Sequence, residues 1–176
     1  MTADQRFIGV ACFLVTAFFS GTSYSQENYS IDAGDILSIV VFDEEDMSLP
    51  KIRIPSNGRV SLPLVGELNV KGLTETELEN RITNILLDGY LKRPRVAVNI
   101  VEYRPFFVGG EVGNPGAYPF VDGLNVRKAV SYAGGMTNRA SEKKIRLVRN
   151  GQELKKVDLN TMVAPGDVIT IGESLF

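Results

Sequence analysis

From Phe107 to Ala140 the chain reads FVGGEVGNPGAYPFVDGLNVRKAVSYAGGMTNRA, and no other stretch limits the fold as tightly. It packs strand, tight turn, strand, capped helix and glycine stop into one run. Asn114-Pro115-Gly116 is a turn signal, because Pro presets φ and Gly accepts φ > 0, and Asp122-Gly123 is a second. Asn125 can cap a helix whose apolar positions Val126, Ala129, Val130 and Ala133 fall at i, i+3, i+4 and i+7. Gly134-Gly135 then supplies a left-handed stop. A helix this short needs a sheet to lie on.

The stretch from Tyr29 uses the same vocabulary. Ala33-Gly34-Asp35 makes a turn, and Ile36 to Phe42 is a β-rich run too continuous for a strand wet on one face, so it reads as central. The acidic run Asp43 to Asp46 ends it, and Pro50 and Pro55 keep the next strand at an edge or interrupt it with a turn. Asn57-Gly58, between Ile52-Arg53-Ile54 and Arg59-Val60-Ser61-Leu62, predicts a hairpin. Leu64, Val65, Leu68 and Val70 continue the sheet. Thr74 and Glu77 form a capping box for a helix with the stripe Leu78, Ile82, Ile85 and Leu86, stopped by Gly89. Val96, Val98 and Ile100 alternate with polar or small residues and give a return strand.

In the second half, a strand from Ile145 to Arg149, a turn at Asn150-Gly151 and a strand from Glu153 to Leu159 close a second sheet. Gly34-Asp35-Ile36-Leu37-Ser38-Ile39 is echoed by Gly166-Asp167-Val168-Ile169-Thr170-Ile171, and Gly66-Glu67-Leu68 by Gly110-Glu111-Val112. Common turn-strand and strand-helix units explain such echoes as readily as a true repeat does. Each half is expected to be a small α+β sheet with one main crossing helix, divided near Tyr103 to Pro105.

The N-terminus reads as a signal peptide over residues 1–25. Arg6 precedes an apolar run from Phe7 to Phe19, and Ser23 and Ser25 permit cleavage before Gln26. The run falls short of the ~20 residues of a spanning helix, so release is expected rather than a retained anchor. Cys12, the only cysteine, lies inside that run and reads as apolar filler, not as a lipidated residue at the start of the mature chain. Disulfides and thiolate metal sites are thereby excluded from the exported protein.

A formal net charge of −2 argues against a nucleic-acid partner, and the absence of histidine removes the commonest general base and metal ligand. Asp43 to Asp46 lack the glycine turn and final Glu of a calcium loop, and read as a solvated loop. Gly109-Gly110 and Gly134-Gly135 form neither GxGxxG nor a P-loop. Tyr103, Phe106, Phe107, Tyr118 and Phe120 offer apolar faces for sugar rings, although strand alternation places some of them in a core. Arg53, Arg59, Arg139 and Arg146 could meet an anionic polymer or a neighbouring subunit. No catalytic residue, cofactor site or metal site is expected.

Gly110-Glu111-Val112, Asn114-Pro115-Gly116, and Ala133-Gly134-Gly135 followed by Thr137, Arg139, Ala140 and Ser141 resemble the SLBB (soluble-ligand-binding β-grasp) repeat of outer-membrane polysaccharide export proteins, the Wza-like family. Tyr29, Ile31, Gly34-Asp35, Leu37, Ile39, Val41, Gly58-Arg59, Leu62-Pro63, Gly66, Gly72-Leu73-Thr74 and Tyr90 resemble the export domain that precedes that repeat. The resemblance implies an export domain over 26–103, an SLBB β-grasp domain over 104–176, and a non-enzymatic periplasmic part in capsule or exopolysaccharide export. It further implies a ring of identical subunits around the polysaccharide, docked to an inner-membrane copolymerase. Pore-forming members continue into an amphipathic helix beyond the point corresponding to Phe176. The expectation is therefore that the outer-membrane pore belongs to a separate protein, a β-barrel, met by the apolar residues Leu175 and Phe176. Two other classes compete with this expectation. One is a periplasmic module that binds a soluble sugar without forming a channel, and the other is a polymer-cleaving enzyme, which would need a converging carboxylate pair.

Overall fold

The computed structural model describes residues 29–174. The expected cleavage pair Ser25 and Gln26, and the expected docking residues Leu175 and Phe176, lie outside the described residues. In the first half, β1 (Ile36–Val41) runs between β2 (Leu49–Arg53) and β5 (Val96–Glu102), antiparallel to both. Its central place explains why Ile36, Leu37, Ile39 and Val41 are all buried. Of the acidic residues after it, Asp43 turns the chain at φ +68°, and Glu45 and Asp46 open a single 3-10 turn, Glu45–Met47.

Helix α1 (Glu75–Leu87) carries the expected capping box: Glu77 N–H donates to Thr74 Oγ1 at 3.2 Å, and Thr74 N–H donates to Glu77 Oε2 at 2.8 Å. Leu78, Ile82 and Leu86 are fully buried, and Ile85 only partly. The same helix guards the outer edge of β5. Ile100 N–H donates to Glu75 Oε1 at 2.6 Å and Val98 N–H to Glu79 Oε1 at 2.9 Å, so carboxylates occupy donors that a neighbouring strand would otherwise take.

One expected pairing is different. The Asn57-Gly58 turn forms, with Gly58 at φ +69°, but it joins separate sheets instead of closing a hairpin. Ile54 N–H is already committed to the Asp35 carbonyl at 2.8 Å, and Pro55 has no N–H to continue a ladder. The hairpin sits one turn later, between β3 (Arg59–Leu62) and β4 (Gly66–Asn69), where Leu64 takes φ +61° and Val65 N–H bonds the Pro63 carbonyl at 2.7 Å.

The second half contains β6 (Phe106–Gly110), β7 (Gly116–Tyr118), α2 (Val126–Tyr132), β8 (Ala140–Arg149), β9 (Gln152–Glu153) and β10 (Val168–Glu173). The sheet order is β7-β6-β10-β8-β9, with β10 parallel to β6 and the other pairs antiparallel. Adjacent, parallel first and last strands with a helix between them in sequence are the β-grasp arrangement. Asn125 caps α2 through Lys128 N–H at 3.0 Å, and Gly134 and Gly135 both take left-handed φ, +78° and +81°.

Two local expectations are corrected here. Gly116 is the first residue of β7 and has no positive φ, so the Asn114-Pro115-Gly116 turn does not depend on it for left-handed backbone. The strand expected from Glu153 to Leu159 ends at Glu153. Lys156 adopts φ +60°, Asp158 N–H bonds Thr161 Oγ1 at 2.9 Å, and the Leu159 carbonyl accepts from Arg127 at the start of α2 instead of from β8. The two halves have separate hydrophobic cores, one around Leu37, Leu78 and Ile82 and the other around Phe106, Leu147 and Ile169. No helix among the described residues is long and apolar enough to cross a membrane.

Candidate functional site

The Gly-Asp echo is a geometric repeat. Asp35 and Asp167 are the buried charged residues of the described chain, both at 0% exposure, and each opens a strand after a left-handed glycine, Gly34 at φ +96° and Gly166 at +83°. Each carboxylate accepts the backbone N–H three residues earlier, Asp32 to Asp35 Oδ2 at 2.8 Å and Ala164 to Asp167 Oδ2 at 2.7 Å. Each carbonyl accepts a backbone N–H at 2.8 Å, from Ile54 just after β2 and from Phe107 in β6. Each carboxylate also meets an arginine. Arg149 binds Asp167 through two nitrogens, at 2.9 and 2.7 Å, and that hydrogen bonding raises the arginine's pKa.

Asp35 takes its arginine from the segment that joins the two halves. Arg104 N–H donates to Asp35 Oδ1 at 2.8 Å, and its Nη1 reaches Tyr29 Oη at 2.6 Å and Asp35 Oδ2 at 3.4 Å. The Tyr29 hydroxyl in turn donates to Asp35 Oδ2 at 2.7 Å. Along its length Arg104 lies over the second half's glycine: a Cβ on Gly166 would come within 2.5 Å of Arg104 Nε. Gly166 N–H bonds the Pro105 carbonyl at 3.2 Å, and edge-on contacts run from Tyr29 to Tyr103 (5.0 Å) and from Tyr103 to Phe120 (5.4 Å). Together these groups form a seam between the halves.

Two groups of the seam have shifted acidities. Burial, followed by the hydrogen bond to Asp35, pushes the Tyr29 phenol far above its ordinary pKa. Burial also acts to raise Asp32, but the ion pair with Lys71 at 2.8 Å and the Ala33 N–H outweigh it and hold the carboxyl below its usual value. Every buried side-chain polar atom among the described residues has a hydrogen-bond partner. A cleft of about 200 Å³ opens beside the seam, lined by Tyr29, Ser30, Arg104, Arg149 and Asn150. Its two arginines already face Asp35 and Asp167.

The residues singled out in the sequence are not gathered into one place. Arg53 donates to the Gly34 carbonyl at 3.1 Å and so borders the seam. Arg59 pairs with Glu67 across the β3–β4 hairpin at 3.0 Å. Arg139 bridges Glu173 at 2.8 Å and Glu111 at 3.4 Å, and Arg146 holds Glu153 through two bonds of 3.0 Å. Tyr118 donates to the Asn114 carbonyl and packs against Phe106 and Tyr132, half-buried. Phe106 is wholly in the core, whereas Phe107 stays 43% exposed on the sheet face away from it. Asp43 pairs with Arg95 at 2.7 Å, and no cluster among the described residues could hold a metal ion. Arg104, Arg149 and Asp167 were missed as site residues; the repeated Gly-Asp was the signal that could have found them.

Comparison with known proteins agrees with this two-part architecture. The family model described as polysaccharide biosynthesis/export protein matches residues 23–101, and the SLBB domain model matches 105–158. The chain is 42% identical over 82 residues to the exopolysaccharide production protein ExoF of Rhizobium meliloti (strain 1021), covering 46% of this chain and 20% of that protein. It is 28% identical over 151 residues to the EPS I polysaccharide export outer membrane protein EpsA of Ralstonia solanacearum, covering 71% and 40%. With the polysialic acid transport protein KpsD of Escherichia coli it shares 24% identity over 182 residues, covering 96% and 32%. The chain thus spans between a fifth and two fifths of the length of these relatives. With an export domain and an SLBB domain in succession, each on its own core, the chain belongs to the family of polysaccharide biosynthesis/export proteins.

Proposed function

We propose that this protein is a non-catalytic periplasmic component of a conduit that exports a capsular or extracellular polysaccharide. The succession of an export domain and an SLBB domain on one chain carries the reading. The names of the relatives, an exopolysaccharide production protein and two export or transport proteins, support it. In this reading residues 1–25 direct export and are removed before Gln26, the export domain occupies 26–103, and the SLBB domain runs from 104 to 176. Identical subunits close into a ring through a head-to-tail interface. The ring stands between an inner-membrane polysaccharide copolymerase and an outer-membrane protein, a β-barrel. Arg59, Arg139 and Arg146 lie on exposed surfaces as ion pairs, where exchange of an intramolecular carboxylate for one on a neighbour or on the polymer costs little, and the exposed Arg53 is held there by the Gly34 carbonyl.

Deletion of the gene with measurement of cell-surface and periplasmic polymer tests the reading. Loss of surface polymer, restored by the wild-type gene and accompanied by a high-order oligomer of the mature protein in native mass spectrometry, is the expected result. Normal surface polymer in the deletion strain would overturn the export role. A strictly monomeric protein that binds one sugar saturably would replace the conduit with a soluble-ligand module.

A further inference from the structure

β8 is 10 residues long, yet β9 covers its outer edge only at Val148 and Arg149, with one further bond from Leu154 N–H to the Leu147 carbonyl at 2.9 Å. Continuing that register would set Lys156 opposite Ile145. Instead Lys156 turns to φ +60° and the chain leaves the sheet. Ile145 lies two residues before Leu147 in an unbroken register with β10, so its N–H and C=O point out of the same edge. No backbone bond to either group occurs among the described residues.

Beside this edge runs a groove of about 620 Å³. Ile145, Leu154 and Val157 give it an apolar lining that belongs to the second core, and Lys143, Lys155 and Lys156 give it charge. Its one carboxylate, Glu153, is held by Arg146. Lys143, Lys155 and Lys156 have no carboxylate within ion-pair distance among the described residues, and the neighbouring Glu142 lines a different hollow with Arg127 and Leu159. The groove therefore carries uncompensated positive charge along an unpaired strand edge.

We propose that the β8 edge accepts an extended acidic segment of a partner protein as an added strand. The open N–H and C=O of Ile145 would pair with the segment's backbone, its apolar side chains would lie against Leu154 and Val157, and its carboxylates would meet the three lysines. A second copy of this chain is the poorer occupant, because edge-to-edge pairing of two β8 strands would bring Lys143 and Lys144 of both copies together. The unpaired backbone edge favours a peptide over an anionic glycan, which would use the lysines and leave the edge open. This site is independent of the subunit ring proposed above.

Selection of a phage-displayed library of random heptapeptides on the full mature protein, followed by hydrogen exchange with the most enriched synthetic peptide, tests the proposal. The expected winners alternate Asp or Glu with β-branched residues and protect the Ile145 amide. Their affinity should fall at least tenfold in the Lys143→Glu/Lys155→Glu variant and on N-methylation of alternate peptide amides, whereas binding unaffected by N-methylation would mean no strand is added. Failure to enrich acidic sequences would overturn the proposal, as would binding without protection at Ile145. It would fall equally if polygalacturonate, and no peptide, bound the groove and was lost in the same variant.

Discussion

Tyr29 holds its place by donating to Asp35 and accepting from Arg104, with the Arg104 guanidinium 5.6 Å from its ring centre. A phenol in that position resists ionisation, because its anion would be desolvated and would face the Asp35 carboxylate. The folded state therefore binds the phenolic proton more tightly than the unfolded chain does. Its contribution is complete below about pH 10, the ordinary tyrosine value, and is lost as pH rises beyond that toward the raised folded value. Urea denaturation between pH 7 and pH 11 should show wild-type stability falling above pH 10 more steeply than that of Tyr29→Phe. At pH 7 the same substitution should cost about 1.5–3 kcal/mol, the loss of a hydrogen bond to a charged group. Parallel pH profiles for the two proteins would show that the phenol is not held as described.

At the scale of elements, caps and turns decide where each segment stops. Gly134 ends α2 with φ +78°, and a Cβ there would sit 2.7 Å from Asn114 Nδ2, in the turn whose backbone N–H bonds the Ala133 carbonyl at 2.7 Å. Gly116 is different, with strand backbone and nothing nearer than the Tyr118 ring at 3.9 Å. Gly134→Val should cost about 1–3 kcal/mol in backbone strain, which lowers the melting temperature by roughly 2–4 °C per kcal/mol in a chain of this size. Gly116→Val should stay within about 0.5 kcal/mol of wild type. Equal melting temperatures for the two variants would contradict these backbone assignments.

At the scale of the whole molecule, two cores that share no residue are joined by one arginine and an aromatic ladder. Arg104 is 16% exposed and Asp35 fully buried, so removing the guanidinium takes the paired cation from a carboxylate that keeps its hydrogen bonds from Tyr29, Asp32 and the backbone N–H of residue 104, and is worth about 3 kcal/mol, the low end for a broken buried pair. Arg104→Ala also removes the side chain that lies over Gly166, while leaving both cores intact. The expected outcome is a change from one cooperative unfolding transition in wild type to two in Arg104→Ala. Hydrogen exchange would assign the earlier loss to the half containing Asp35. A single transition at the wild-type midpoint would mean that the seam does not couple the halves.

Local chemistry was legible in the residues themselves. The Thr74–Glu77 box, the Asn125 cap, the Gly134-Gly135 stop and the Asn150-Gly151 turn each depend on groups within a few residues, so sequence alone determines them. The Gly-Asp echo was also visible, but its meaning was not, since Arg104 and Asp35 are 69 residues apart. The same limit explains the misplaced hairpin. Whether Arg59–Leu62 pairs backward or forward depends on which strand has already taken Ile54, and that is β1 through Asp35. The parallel pairing of β10 with β6 and the open outer edge of β8 are likewise products of tertiary structure, because strand neighbours are chosen by distant segments competing for the same backbone donors and acceptors.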